Sequence, residues 1–114
     1  MSKARAKGTS FETAIVAVLK EEGFADAERW GSVDMGLGDI RNLSVVLEAK
    51  NHKAMALSEW CTQAEKSGGK AGKLWAVVHK RIRKGTRQSY VTMELEQWIV
   101  MLRAYDYCKD KGIV

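Results

Sequence analysis

Three residues carry the chemistry this sequence can do together: Asp39, Glu48 and Lys50. Glu48 and Lys50 lie in "VVLEAKNHK", residues 45–53, where an apolar run predicts a partly buried strand. Burying charged groups there is costly unless they are paired or bind something. Side chains on a strand alternate faces, so Val46, Glu48 and Lys50 share one face and Val45, Leu47 and Ala49 the other. The preceding segment, "DIRNLS", completes a β-hairpin. With a two-residue turn at Asn42 and Leu43, Asp39 pairs opposite Val46 and is a diagonal neighbour of Glu48 on the same face. A three-residue turn breaks that parity. The plainer alternative is a surface hairpin with a Glu48–Lys50 charge pair; the apolar residues before Glu48 favour the buried strand.

Two carboxylates held close repel each other unless a cation sits between them. Mg²⁺ takes hard oxygen ligands, usually one or two carboxylates with waters and phosphate oxygens. Such an ion activates water, and a neighbouring lysine neutralises the charge that develops on a phosphate under attack. Two acids and a lysine are therefore the equipment of metal-dependent phosphodiester hydrolysis.

Other residues compete for a role. Asp34 is an alternative loop acid, five residues early and out of the hairpin register. His52 and His79 are candidate bases, or else surface groups or phosphate contacts. Cys61 and Cys108 form no C-x-x-C and have no histidine at metal-ligand spacing, so buried free thiols are expected and a zinc site is not. Trp30, Trp60, Trp75 and Trp98 lie on apolar patterns and read as core or interface packing. The net charge of +5 is clustered, in Lys3, Arg5 and Lys7 and again in "HKRIRKGTR", residues 79–87, a pattern that suits a polyanion.

These residues need a scaffold. The chain has 114 residues, 46% of them hydrophobic and 29% charged, which predicts one soluble globular domain over 1–114. No apolar run has membrane-spanning length. The opening "MSKARAKGTS" is basic without an apolar centre, so no secretory signal is expected and the expected location is the cytoplasm; residues 1–8 read as a flexible basic arm. There is no proline and no repeat. A helix is predicted over 10–22, with Phe11, Ile15, Val18 and Leu19 as its stripe, Thr9 and Glu12 at capping-box spacing and Gly23 as its stop. "ADAERW" predicts a short strand and 31–38 a glycine-rich loop. A second helix is predicted over 57–69, with Leu57, Trp60, Cys61 and Ala64 buried, Ser58 as cap and Gly68 and Gly69 ending it. "LWAVVH", 74–79, is apolar without alternation, as a central strand is. "SYVTM" predicts another strand, and the chain closes with a helix bearing Leu95, Trp98, Ile99, Leu102 and Tyr105 on one side. The order αβββαββα is α/β: a mixed sheet flanked by helices.

Gly38-Asp39, eight residues, then Glu48-Ala49-Lys50 in this element order resembles the PD-(D/E)xK nuclease superfamily, with glycine where that superfamily often has proline. The likeness extends over roughly residues 5–80 and looks closest to the archaeal and phage Holliday junction resolvases, which begin with a basic, glycine-containing segment and a helix bearing a glutamate, here "KARAKGTSFETAIVAVLKEEGF". The resemblance implies a restriction-endonuclease-like core and a DNA endonuclease using Mg²⁺, with Mn²⁺ as a substitute. It implies Asp39 and Glu48 as metal ligands, Glu12 completing the metal site, Lys50 as the catalytic lysine and Gln63 in support. On the spacing alone Glu12 is equally a capping residue and Gln63 an exposed helix residue. Ser32 resembles a loop serine of the resolvases. Lys3, Arg5, Lys7, Lys53, Lys80, Arg81, Arg83, Lys84 and Arg87 are expected to hold DNA phosphates. Resolving a four-way junction by paired nicks implies a homodimer, with the last helix as a candidate interface. A RecB-like nuclease of flaps or single strands, and a non-catalytic DNA-binding module, are the alternatives.

Overall fold

The computed structural model describes residues 3–31 and 35–114. Its elements are α1 (Lys3–Glu21), β1 (Glu28–Arg29), β2 (Ile40–Arg41), β3 (Val45–Lys50), α2 (Leu57–Ala71), β4 (Leu74–His79), a 3-10 turn (Thr86–Gln88), β5 (Tyr90–Thr92) and α3 (Leu95–Asp110). The order is the one expected from sequence. The strands form one mixed sheet, β1-β2-β3-β4-β5. β3 and β4 pair in parallel and the other neighbours are antiparallel.

The helices cover opposite faces. Phe11 and Ile15 of α1 pack with Ile40 and Val78, against Leu47 and Ala49. Trp60 and Ala64 of α2 pack on the other face with Val46, Trp75 and Val77. β3 and β4 thus run through the centre with both faces covered, which is why "LWAVVH" shows no alternation.

Local details differ from expectation in α1, in α2 and in the hairpin. α1 starts at Lys3, so the basic segment expected as a flexible arm forms the helix's first turns. Thr9 lies inside the helix, its carbonyl accepting the Thr13 hydroxyl, and caps nothing. α2 runs through Gly68 and Gly69 to a left-handed Gly72 at φ 67°, and Ser58 makes no cap. Gly68 is a packing position: a Cβ there would lie 3.0 Å from Trp75. The hairpin register is two residues from the expected one, because Ile40 pairs with Leu47. An even shift preserves which face each side chain takes. Asp39 lies just before the paired residues, with its carboxylate on the Ala49 amide. Asn42 does turn the chain, in the left-handed region at φ 68°.

α3 is different. Its one buried residue is Gln97, while Leu95, Trp98, Tyr105 and Tyr107 are all more than half exposed. Trp98 is therefore surface, whereas Trp60 and Trp75 are core. Cys61 and Cys108 are free and half-buried, and burial pushes the Cys61 thiol pKa up. No helix among the described residues is long and apolar enough to cross a membrane.

Candidate active site

β3 supplies the centre of the site. Glu48 is only 3% exposed and faces α2. Beside it, the backbone leaves the regular ladder at Asp39. The Asp39 amide donates to the Leu47 carbonyl at 2.8 Å, and the Asp39 carboxylate accepts the Ala49 amide at 2.7 Å. Gly38 makes this approach possible. Its φ is +90°, and a Cβ there would stand 2.8 Å from Val46 and 2.9 Å from the Leu47 carbonyl. The glycine before the aspartate is thus dictated by a close crossing of two backbones.

The Asp39 and Glu48 carboxyl groups both line the same cleft and interact there. Glu48 is pushed up to about 7, by burial first, then by the charge of Asp39 and the bond between the two carboxyls; Lys50 and Ser67 pull it the other way. The Ser67 hydroxyl donates to Glu48 Oε1 at 3.2 Å. Lys50, two residues along the same face, donates from Nζ to Gln63 Oε1 at 2.8 Å. Gln63 and Ser67 are four apart on α2, so one helix face holds both the lysine and the buried acid.

Glu12 comes from α1 on the other side. Its carboxylate accepts Arg29 Nε at 3.2 Å. Its pKa is raised, by burial first and then by Asp39, with Arg29 and Lys50 opposing. Glu12, Asp39, Glu48, Lys50 and Gln63 all line one cleft of about 470 Å³, with Lys3, Lys7 and Lys53 at its rim. The five residues singled out as catalytic therefore converge. Among the described residues, however, no three His, Cys, Asp or Glu side chains are gathered as a ready metal-binding group. Asp39 and Glu48 meet, while Glu12 is held by Arg29.

The remaining candidates divide. His79 is buried, bonded to Thr92 Oγ1 at 2.8 Å and set between Trp60 and Tyr90, and burial lowers its pKa. It is a core residue and does not line the cleft. His52 lines the cleft and lies beside the Trp60 ring. Lys80 and Arg81 border an adjoining groove, and Arg83 and Lys84 are exposed beyond it. Arg5 is exposed on α1 and lies outside the cleft lining. Arg87, expected to hold a phosphate, is exposed and pairs with Glu21 at 2.7 Å and Glu22 at 3.3 Å, which ties the segment after β4 to α1. Ser32 and Asp34 fall outside the described residues. Sequence reasoning missed Ser67 and Arg29. The four-residue spacing from Gln63 could have pointed to Ser67; nothing local points to Arg29.

No protein-family model matches the chain, and no curated protein or solved structure matches it significantly. The geometry of the cleft is what its function must be read from.

Proposed function

We propose that this chain is a Mg²⁺-dependent DNA endonuclease of the PD-(D/E)xK kind, with Mn²⁺ as a substitute, that cuts branched DNA such as the four-way junction as a homodimer in the cytoplasm. The observation that carries the reading is the convergence of Glu12, Asp39 and Glu48 in one cleft with Lys3, Lys7 and Lys53, with Lys50 on the same strand face as Glu48. Without a cation, the Asp39–Glu48 pair retains a proton near neutrality, because burial and mutual repulsion raise Glu48 to about 7. That donor set fits a hard divalent ion, which needs only one or two carboxylates beside waters and phosphate oxygens. Asp39 and Glu48 would hold the ion, with Glu12 behind them. When bound it would supply Lewis acidity at a phosphate oxygen and lower the pKa of a water.

The chain's own residues do the rest. Gln63 fixes the Lys50 ammonium at the cleft, where it neutralises charge on the phosphate under attack. Lys3, Lys7 and Lys53 hold neighbouring phosphates and carry no sequence information. Ser67 fixes the Glu48 carboxyl in place. Two nicks across a junction require two such clefts, hence the dimer.

The test is cutting of a labelled immobile four-way junction with Mg²⁺ or Mn²⁺, beside duplex, flap and single-strand controls. Asp39→Asn and Glu48→Gln should each lower cutting by on the order of a hundredfold or more while binding persists. Cutting confined to flaps or single strands would move the function to a RecB-like nuclease. Binding without cutting in either metal would leave a DNA-binding module.

A further inference from the structure

Next to the acidic cleft runs a groove of about 350 Å³ that shares Lys7, His52 and Lys53 with it and continues past Lys80 and Arg81 to Ile82. Ile82 is 71% exposed. It stands between Lys80-Arg81 and Arg83-Lys84, at the tip of the turn after β4. What sets Ile82 apart from the other exposed aliphatic side chains is its place, inside the most basic stretch of the chain and at the end of a groove that opens from the acidic cleft. The turn around it is also held in an unfavourable way. Arg83 has φ 60°, at the turn position that favours glycine.

The tip is not loose. The Lys84 amide closes the turn on the Arg81 carbonyl at 3.3 Å, and Lys80 Nζ donates to the Lys84 carbonyl at 2.8 Å. Gln88 Oε1 accepts the Gly85 amide at 3.0 Å. Arg87 ties the next residues to α1 through Glu21 and Glu22. The Arg81 guanidinium lies over the Tyr90 ring at 4.3 Å, and that ring is 55% exposed. The result is a braced apolar point, with basic residues on both sides in sequence and one of them, Arg81, seated on an exposed aromatic ring.

Cations on either side of an exposed aliphatic tip match one ligand chemistry well: a nucleic-acid backbone gripped at its phosphates while an apolar wedge enters the base stack. Such a wedge is cheap to insert where stacking is already broken and costly in continuous duplex. Resting on the nuclease reading for the identity of the bound polymer, we propose that Ile82 is a wedge that inserts at a break in the base stack of DNA. The groove under Lys53, Lys80 and Arg81 carries the strand from that break to the acidic cleft. The 80–85 turn, and not the acid cluster, then sets the preference for branched over continuous DNA.

The experiment measures binding of the full chain to a fluorescent four-way junction and to continuous duplex of equal length, in EDTA. The variants are Ile82→Ser and Ile82→Leu, and a 2-aminopurine probe sits at the branch. Ile82→Ser should cut the junction-over-duplex preference about tenfold, the worth of roughly one lost stacking contact, and leave duplex affinity alone. Ile82→Leu should keep the preference. The probe should brighten with the wild type and stay dim with Ile82→Ser. An unchanged preference in Ile82→Ser, or a wild type without one, overturns the wedge. Cutting in Mg²⁺ is scored apart. Cutting with an Ile82-independent preference rejects the wedge and keeps the nuclease; an Ile82-dependent preference without cutting supports the wedge and rejects the nuclease.

Discussion

At the scale of single residues, the site is governed by the price of burying Glu48 beside Asp39. In the metal-free protein Glu48 holds its proton up to about 7, against 4.5 for the ordinary side chain. A carboxyl whose folded pKa is raised contributes stability that is complete below its unfolded pKa and is lost as pH rises through the folded one. The window is therefore between 4.5 and about 7. In EDTA the melting temperature should fall between pH 5 and pH 8, by an amount on the order of 1–3 kcal/mol in stability. His79 works against this trend, because a histidine with a lowered pKa gains stability as pH rises. The Glu48→Gln variant separates the two: it should lack the fall that wild type shows, while keeping the His79 contribution. Mg²⁺ should raise the wild-type melting temperature most at pH 8, where Glu48 is ionised, and leave Glu48→Gln nearly unmoved. Calorimetry across that range checks each part. Parallel curves for the two proteins would remove the carboxyl pair as the cause.

At the scale of elements, the sheet is finished by a side chain. β5 pairs with β4 only at Val77, Val78 and His79. Further back, the Trp75 amide donates to Gln97 Oε1 at 2.8 Å, and Gln97 Nε2 donates to the Trp75 carbonyl at 3.0 Å. The Gln97 amide thus takes the place of a strand residue, and both backbone groups of a buried tryptophan depend on it. Gln97→Leu fills the space but satisfies neither group, so it should destabilise the fold by about 1–3 kcal/mol in urea unfolding. A midpoint equal to wild type would mean water replaces the amide freely. This link also marks the limit of what sequence could say. Strand parity was legible, because alternation is a property of the strand itself, and Glu48 facing Val46's side survives a register two residues off. The glycines of α2 were not: Gly68 reads as a stop, but what it meets is Trp75 on another element. Gln97 and Arg87 failed to show for the same reason. Their partners lie 22 and more than 60 residues away, and one sequence carries no signal of such pairings.

At the scale of the whole molecule, α3 poses the unsolved packing problem. The molecule measures 49 × 28 × 26 Å, and sixteen residues of helix are buried only at Gln97. Trp98, Met101, Leu102 and Tyr105 follow the three- and four-residue spacing of a single stripe, yet they are 51%, 37%, 38% and 56% exposed. A lone helix of this length is marginal in water without a tertiary partner. A second copy of the same stripe is self-complementary about a two-fold axis, and two such helices side by side give a contact about 24 Å long. The proposed paired-nick mechanism needs two clefts, so such a dimer would serve function and stability together. Sedimentation at micromolar protein should therefore give the mass of two chains. The double variant Trp98→Glu, Leu102→Glu should give one chain with the sheet intact by circular dichroism, because neither side chain is core. If it still cuts, that monomer should nick a junction on one strand per encounter instead of two. A wild type that sediments as a single chain would separate α3 from dimerisation and leave paired cutting without its second site.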